Sequence, residues 1–155
     1  AKSMPEPGPP LRSRVDDLVG TEFHVGDWVS INQETIDAFA AATGDNHWIH
    51  TDPVRAGRES PFGATVAHGY LTLSLLPSQL GGYFQKLGVA RTINYGLNRV
   101  RFIAPVIAGT KVRAHFTMKS AEEHGDGLRV TLEVRIEADN QKKTVCQAET
   151  VSLLY

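Results

Sequence analysis

Two stretches in the last third of the chain alternate apolar and polar side chains. One covers residues 111–118 and the other 128–136, and a Gly-Asp-Gly turn lies between them. A period of two places one set of side chains on each face, which is typical of half-buried antiparallel strands. A short strand is also predicted within residues 24–31, and two further candidates, residues 98–103 and 144–154, bring the predicted sheet to about five strands.

A different pattern precedes these strands. The run from His68 to Leu80 is apolar on nearly every helical face, yet it is too short for a membrane span, which takes about 20 apolar residues. It therefore predicts a helix that is buried on all sides. One antiparallel sheet wrapped around one central buried helix satisfies both patterns, so the predicted fold class is α+β.

The region before this helix predicts shorter elements and a loop. Ser30 and Gln33 have the spacing of a capping box, which predicts that a helix starts near Ile31. Gly44 is well placed to end that helix in a left-handed conformation. Residues 45–67 have no apolar period and are rich in turn formers, and long loops of this kind are usually functional or disordered.

The N-terminal 20 residues form a separate predicted segment. Half of the eight prolines lie within the first ten residues, which favours extended or disordered chain, and residues 12–19 predict one short helix. We therefore expect residues 1–20 to be flexible or partly helical and residues 21–155 to form the domain. No positively charged start with a following apolar stretch is present, so we expect no secretory signal.

Composition narrows the class of protein further. Sixteen Lys and Arg against seventeen Asp and Glu give a net charge of −1, which favours neither a nucleic-acid nor a membrane partner. The single cysteine, Cys146, excludes an internal disulfide and a cysteine-based zinc site. We expect a soluble, cytoplasmic protein.

The clearest candidate chemistry follows Gly44. Asp45 and His50 are a carboxylate and an imidazole five residues apart across a turn, so they can converge on one water and exchange protons with it. Spacing alone also fits a structural role, in which Asp45 caps the turn and His50 is a satisfied loop histidine. In a third interpretation His47, His50 and Asp52 are metal ligands, but no other residue of the sequence clearly completes such a metal site.

Gly69 stands at the start of the predicted buried helix. The first N–H groups of a helix are unpaired and carry partial positive charge, so the Gly69 N–H can bind a developing oxyanion. The alternative is that helix packing simply requires a small residue there. The chain has no Gly-x-Ser-x-Gly nucleophile elbow and no Gly-rich phosphate loop.

Together these residues resemble the MaoC-like hydratase family, also called hydratase 2 or (R)-specific enoyl-CoA hydratases. The resemblance extends from about Phe23 to Tyr155, and Trp48-Ile49-His50 with Asn94-Tyr95-Gly96-Leu97-Asn98 is most similar to the nodulation protein N-like branch. The motifs that carry it are Phe39-Ala-x-x-Thr-Gly-Asp45-x-x-x-x-His50-x-Asp52, Phe62-Gly63, Val66-Ala67-His68-Gly69 and Val100-x-Phe102-x-x-Pro105-Val106-x-x-Gly109.

The resemblance implies a single hotdog fold, a homodimer and reversible addition of water to a trans-2-enoyl thioester of CoA or acyl carrier protein, which gives the (R)-3-hydroxyacyl thioester. It implies no metal and no cofactor. Asp45 and His50 would be the catalytic pair, with His50 favoured as base and Asp45 as proton donor to the α-carbon, and the Gly69 N–H would hold the thioester oxygen. The substrate-binding residues would be Asn46, His47, Trp48, Ala67 and His68.

Two rival activities differ from this expectation. An acyl-CoA thioesterase of the same fold commonly carries a carboxylate on the central helix, and residues 68–80 contain none. A non-catalytic module that binds acyl thioesters would not need the Asp45 and His50 pair. Two departures from the family pattern bear on substrate range: His47-Trp48 replaces the usual Asn-Pro, and Pro77 replaces a serine.

Overall fold

The computed structural model describes residues 10–155, which form one antiparallel sheet of six strands with seven short helices. The strand order is β1-β4-β5-β6-β3, and β2 also pairs with β4. The strands are β1 (Glu22–Val25), β2 (Val29–Ile31), β3 (Thr92–Phe102), β4 (Thr110–His124), β5 (Gly127–Ala138) and β6 (Thr144–Leu154).

The alternating stretches form the centre of the sheet, as predicted. In β4 and β5 the apolar set of side chains is buried on the face that meets the helices, while the polar set faces outward. The sheet has one strand more than expected, because residues 24–31 divide into β1 and β2. Strand β3 begins six residues earlier than predicted and lies at one edge of the sheet, where only β6 pairs with it.

Seven helices lie between and around the strands. They are α1 (Leu11–Asp16), α2 (Gln33–Thr43), α3 (Trp48–Thr51), α4 (Pro53–Glu59), α5 (Gly69–Ser74), α6 (Leu76–Leu80) and α7 (Tyr83–Lys86). Helix α1 confirms the short helix predicted near the N-terminus. The proline-rich stretch falls almost entirely within residues 1–9, outside the described part of the chain. No helix among residues 10–155 is long and apolar enough to cross a membrane.

The central helix is present but differs from the prediction in two ways. It is interrupted at Leu75, and Pro77 lies in the first turn of the second piece, where its missing N–H costs no helical hydrogen bond. It is also not buried on every side: Leu71 and Leu76 are buried, whereas Tyr70 is 71% exposed. The apolar run therefore supplies both core contacts and an open face.

The start of α2 corrects the predicted capping box. Asn32 caps the helix, and its side-chain oxygen accepts a hydrogen bond from the Thr35 N–H at 2.9 Å. Ser30 lies instead in β2, where it is paired with Lys111, so its backbone is already committed to the sheet. The end of the helix agrees with the prediction, since Gly44 has a φ of 83°.

Residues 45–67 are more regular than expected. They contain α3 and α4, and each helix begins with a side-chain cap: His47 Nδ1 accepts from the Ile49 N–H, and Asp52 Oδ1 accepts from the Arg55 N–H. Polar caps compensate for the lack of an apolar period, because they satisfy the free N–H groups of a short helix. Residues 45–67 are thus a folded segment built on two short helices and not an irregular loop.

Candidate active site

Asp45 and His50 face each other across a small gap. Helix α2 ends in a left-handed turn at Gly44, and Asp45 is the next residue along the chain. His50 lies in α3 and faces Asp45 from the opposite side of the gap. The distance from Asp45 Oδ2 to His50 Nε2 is 3.9 Å. That separation is too long for a direct hydrogen bond, but one water molecule can bond to both atoms.

The surroundings of His50 determine which ring nitrogen carries the proton. His50 Nδ1 lies 2.7 Å from the Val66 carbonyl oxygen. Because a carbonyl can only accept, Nδ1 carries the hydrogen in the neutral ring, and Nε2 presents its lone pair toward Asp45. The ring is mostly buried, with 16% of the side chain exposed, whereas Asp45 is 57% exposed. His50 is thus oriented as a proton acceptor beside the exposed side chain of Asp45.

His68 lies directly beneath this pair. Its ring stacks on that of His50 with 3.8 Å between centroids, and its Nε2 donates to the Asp45 backbone carbonyl at 2.9 Å. The residue is only 3% exposed, and Phe39 of α2 covers it from another side. His68, which the resemblance assigns to substrate binding, therefore contacts both members of the pair from the protein interior.

Gln33 is a site residue that the sequence interpretation missed. It was assigned to the capping box, but its Nε2 donates to the His50 backbone carbonyl at 2.7 Å, and its Oε1 accepts from the Thr65 hydroxyl. These bonds tie α2, α3 and the segment before α5 together around His50. The only indication of this role in the sequence is that Gln33, a polar residue, lies on the same helical face of α2 as the buried Ile36 and Ala40.

Gly69 opens α5 next to the pair. Its N–H is at the first helical position, and the backbone hydrogen bonds of residues 10–155 include none that it donates. A Cβ placed on Gly69 would lie 2.9 Å from the Phe102 ring, so glycine is required for β3 to approach the helix. Close packing therefore accounts for the glycine at this position, and its unpaired N–H leaves the predicted oxyanion role open.

The remaining predicted substrate-binding residues lie around the rim. Asn46 and His47 are exposed, and Trp48 is half-buried with the Arg55 guanidinium 4.5 Å from its ring. Ala67 is buried, and its N–H donates to the Val106 carbonyl at 2.8 Å, which fixes the chain just before Gly69.

The structure does not bring His47, His50 and Asp52 together as one set of metal ligands. His47 Nδ1 and Asp52 Oδ1 cap α3 and α4, and the His47 and His50 ring centroids lie 6.5 Å apart in an edge-to-face arrangement. Asp45, His50 and His68 do bring ligand-type atoms within 4.8 Å of one another. However, the two rings lie nearly parallel, with an interplanar angle of 22°, and imidazole lone pairs lie in the ring plane. Their lone pairs therefore do not converge on one ion, and the geometry suits proton transfer better than metal binding.

A cavity of about 620 Å³ lies along the second half of α5 and along α6, and its lining does not include Asp45, His50 or Gly69. Leu73, which lines it, lies one turn after Gly69 on the same face of α5. Further along, Pro77 and Leu80 of α6 continue the helical wall, and β3 and β6 form the opposite wall. This volume is within the range of small-molecule sites, about 300–1,000 Å³.

A second group of titratable side chains lies on the outer face of the sheet. His115 contacts Glu22 and Glu137, and Arg113 also pairs with Glu137. Burial would raise the pKa of Glu137, but the hydrogen bonds from His115 and Arg113 outweigh it and hold that pKa below its usual value. These paired charges stabilise the ionised carboxylate, so the group is consistent with a structural role.

A single antiparallel sheet wrapped around a central helix, with an open site at the start of that helix, defines a protein of the hotdog fold. The sequence matches the model of the MaoC like domain over residues 14–150, and the chain belongs to the MaoC-like dehydratase family. This confirms the resemblance stated from the motifs.

Individual relatives support the same assignment and its branch. The chain is 44% identical over 133 residues to 3-hydroxyacyl-thioester dehydratase Z of Mycobacterium tuberculosis, covering 85% of this chain and 87% of that protein. It is 39% identical to nodulation protein N of Rhizobium leguminosarum, covering 90% and 88%. The solved (R)-hydratase of A. caviae involved in PHA biosynthesis superposes with a TM-score of 0.69 at 28% identity, covering 86% of this chain and 98% of that one.

Proposed function

We propose that this protein is a hydro-lyase that adds water reversibly to trans-2-enoyl thioesters and forms (R)-3-hydroxyacyl thioesters. The observation that carries the proposal is the 3.9 Å gap between Asp45 Oδ2 and His50 Nε2. Gly69, whose N–H donates no backbone hydrogen bond among the described residues, directly follows His68, and the His68 ring stacks on that of His50. An acid–base pair and an oxyanion donor are the groups that hydration of an enoyl thioester requires. The family membership and the names of the relatives are in accord with it.

The pair would act on a water that bonds to both side chains. His50 Nε2 takes a proton from the water, whose oxygen bonds to the β-carbon as the carbon–carbon double bond opens, and the protonated Asp45 side chain gives its proton to the α-carbon. The proton on His50 then passes to the Asp45 carboxylate, which restores both groups for the next turnover. The charge that develops on the thioester oxygen is stabilised by the Gly69 N–H at the positive end of α5. The hydrogen bond from His50 Nδ1 to Val66 supports this division of roles, because it leaves the lone pair on Nε2.

The acyl chain would occupy the cavity along the central helix. Gly69 and Leu73 share one face of α5, so a thioester oxygen held at Gly69 directs the rest of the chain toward the cavity. The carrier, CoA or acyl carrier protein, would then remain at the open rim near Asn46, His47 and Trp48.

The working unit would be a homodimer joined through β3. This strand is eleven residues long, its outer edge is unpaired among the described strands, and Tyr95 and Leu97 are 56% and 49% exposed. A long apolar edge strand on a monomer is prone to pair with another chain, and a second copy would cover it and close the side of the cavity that β3 forms.

The test follows the loss of enoyl-thioester absorbance with crotonyl-CoA and longer trans-2-enoyl-CoAs, followed by chiral analysis of the product. The proposal expects turnover and an (R) product. An (S) product would contradict it. If the protein binds acyl-CoA but never turns it over, it is a binding module instead, and release of free CoA would indicate a thioesterase.

A further inference from the structure

The cavity along the central helix has two chemically different walls. The helical side is largely apolar, with Leu73, Leu76, Leu80 and Phe84. The sheet side is mixed: Tyr95, Leu97 and Val151 of β3 and β6 line it, but so do four polar side chains of the same two strands. The polar residues of that wall are Thr92, Asn94, Thr150 and Ser152.

Strand register shows that this polar wall interrupts the core face. Ser152 of β6 is paired with Val130 of β5 on one side and with Asn94 of β3 on the other. Residues directly opposite each other on paired strands share a face of the sheet. Val130 is fully buried in the apolar core, so at this position the face changes from apolar to polar between β5 and β6, whereas Leu154, two residues further along β6, is again apolar and buried.

The polar side chains of this wall lack partners within the described residues. Thr92 Oγ1 is buried without a hydrogen bond, and Ser152 is 6% exposed. Ser74, across the cavity on α5, is different because its hydroxyl donates to the Tyr70 carbonyl. Buried polar groups are nearly always hydrogen-bonded, so Thr92 Oγ1, which has no partner among the described residues, calls for one in the cavity, and the buried Ser152 beside it offers a second hydroxyl.

We infer that the cavity selects acyl chains that carry a hydroxyl or keto group beyond the enoyl unit. This inference rests on the proposed function for the identity of the reaction. The apolar helical wall covers the methylene groups, and the polar wall of Thr92, Asn94, Thr150 and Ser152 hydrogen-bonds the oxygen. A plain alkyl chain would cover these polar groups without replacing their bonds to water, which costs binding free energy.

The first experiment compares kcat/KM for trans-2-enoyl-CoAs in matched pairs, one with an alkyl chain and one with a terminal hydroxyl, over a series of chain lengths. We expect at least one hydroxylated substrate to exceed its alkyl counterpart by roughly tenfold, the effect of one or two hydrogen bonds. An alkyl substrate that is equal or better at every length overturns the inference and indicates a wall solvated by ordered water only, or one bonded by a partner copy.

Substitutions in the polar wall test whether these side chains cause the preference for the hydroxylated substrate. The substitutions Ser152→Ala and Asn94→Leu should abolish the preference, because they lower kcat/KM for the hydroxylated substrate and raise it for the alkyl substrate. Ser78→Ala on α6 and Asn98→Leu on β3 are the matched controls, because both residues are exposed and lie outside the cavity lining. A preference that survives both wall substitutions also overturns the inference.

Measurements of acyl-CoA binding test this inference independently of the proposed hydration reaction. Calorimetry with the corresponding saturated acyl-CoAs measures the dissociation constants without turnover. A preference for the hydroxylated chain in an inactive protein would support the polar wall and contradict the proposed hydratase activity. Turnover of enoyl-CoAs without any preference in binding or kcat/KM would support the hydratase activity and overturn the polar wall.

Discussion

At the residue scale, His68 is the side chain whose role the structure most changes. It is buried and stacks on the His50 ring, its Nε2 donates to the Asp45 backbone carbonyl, and the same nitrogen lies 4.0 Å from Asp45 Oδ2, so it contacts both members of the pair. A residue in this position influences the rate by orienting others, and a small displacement of a reacting group can cost about 10²-fold.

We therefore predict that His68→Ala lowers kcat about 10- to 100-fold with a much smaller change in KM. His68→Gln, which can place an amide donor near the Asp45 carbonyl, should recover part of the loss. The control is His24→Ala, which removes another partly buried ring that bonds to a carbonyl, that of Gln79, away from the site. Steady-state kinetics decide the matter: a rise in KM with unchanged kcat would indicate substrate contact instead.

Gly69 gives a second prediction. Gly69→Ala should reduce kcat/KM by tenfold or more, because the new methyl group meets the Phe102 ring and displaces the N–H from the thioester oxygen. Gly57→Ala is the matched control, since it lies within α4 with open space around it. Phe102→Leu combined with Gly69→Ala should restore part of the rate. Full activity in Gly69→Ala alone would rule out this N–H as the oxyanion donor.

At the element scale, α2 is the support that carries Asp45 at its end and Gln33 at its start. Asn32 begins the helix, and its side chain accepts from both the N–H and the hydroxyl of Thr35. Loss of this cap should weaken the helix that positions both residues.

We predict that Asn32→Ala lowers the free energy of unfolding by about 1 kcal/mol. Ser30→Ala, at the position that the sequence pattern favoured as the cap, should change it by less than about 0.5 kcal/mol. Urea denaturation of the two variants measures both values. The reverse ranking would show that the capping box, and not Asn32, starts the helix.

The same element shows where prediction from the sequence succeeds and where it ends. Gly44 could be placed correctly because a left-handed C-cap requires a residue without a Cβ. The cap at the other end could not, because Ser30 and Asn32 are both good N-caps and only the pairing of β2 with β4 decides between them.

At the scale of the whole molecule, the sequence indicates the sheet better than the site. The alternation of apolar and polar residues in β4 and β5 is a pattern between near neighbours in the sequence. It was therefore enough to identify both strands and the face that each of them buries. The contact of His68 with the Asp45 carbonyl joins residues 23 positions apart and depends on how α5 meets α2, which no local pattern records. The polar wall depends likewise on register across three strands.

The free edge of β3 leads to a prediction about assembly. We expect a homodimer in solution, and Tyr95→Lys with Leu97→Lys should convert it to a monomer, because two charges would be placed in a buried interface. Val25→Lys, on the opposite edge of the sheet, is the control. Light scattering after gel filtration measures the mass. A wild-type protein that remains monomeric at high concentration would contradict this arrangement.

The central claim is that Asp45 and His50 exchange protons with the water that adds to the substrate. It is tested most directly by the hydration rate of crotonyl-CoA, or of the best enoyl-CoA, in Asp45→Asn and His50→Ala, beside the hairpin controls Asp126→Asn and His124→Ala. We predict a loss of about 10²-fold or more in each site variant and near wild-type rates in the controls. Unchanged turnover in either Asp45→Asn or His50→Ala, with the fold intact, would contradict the account.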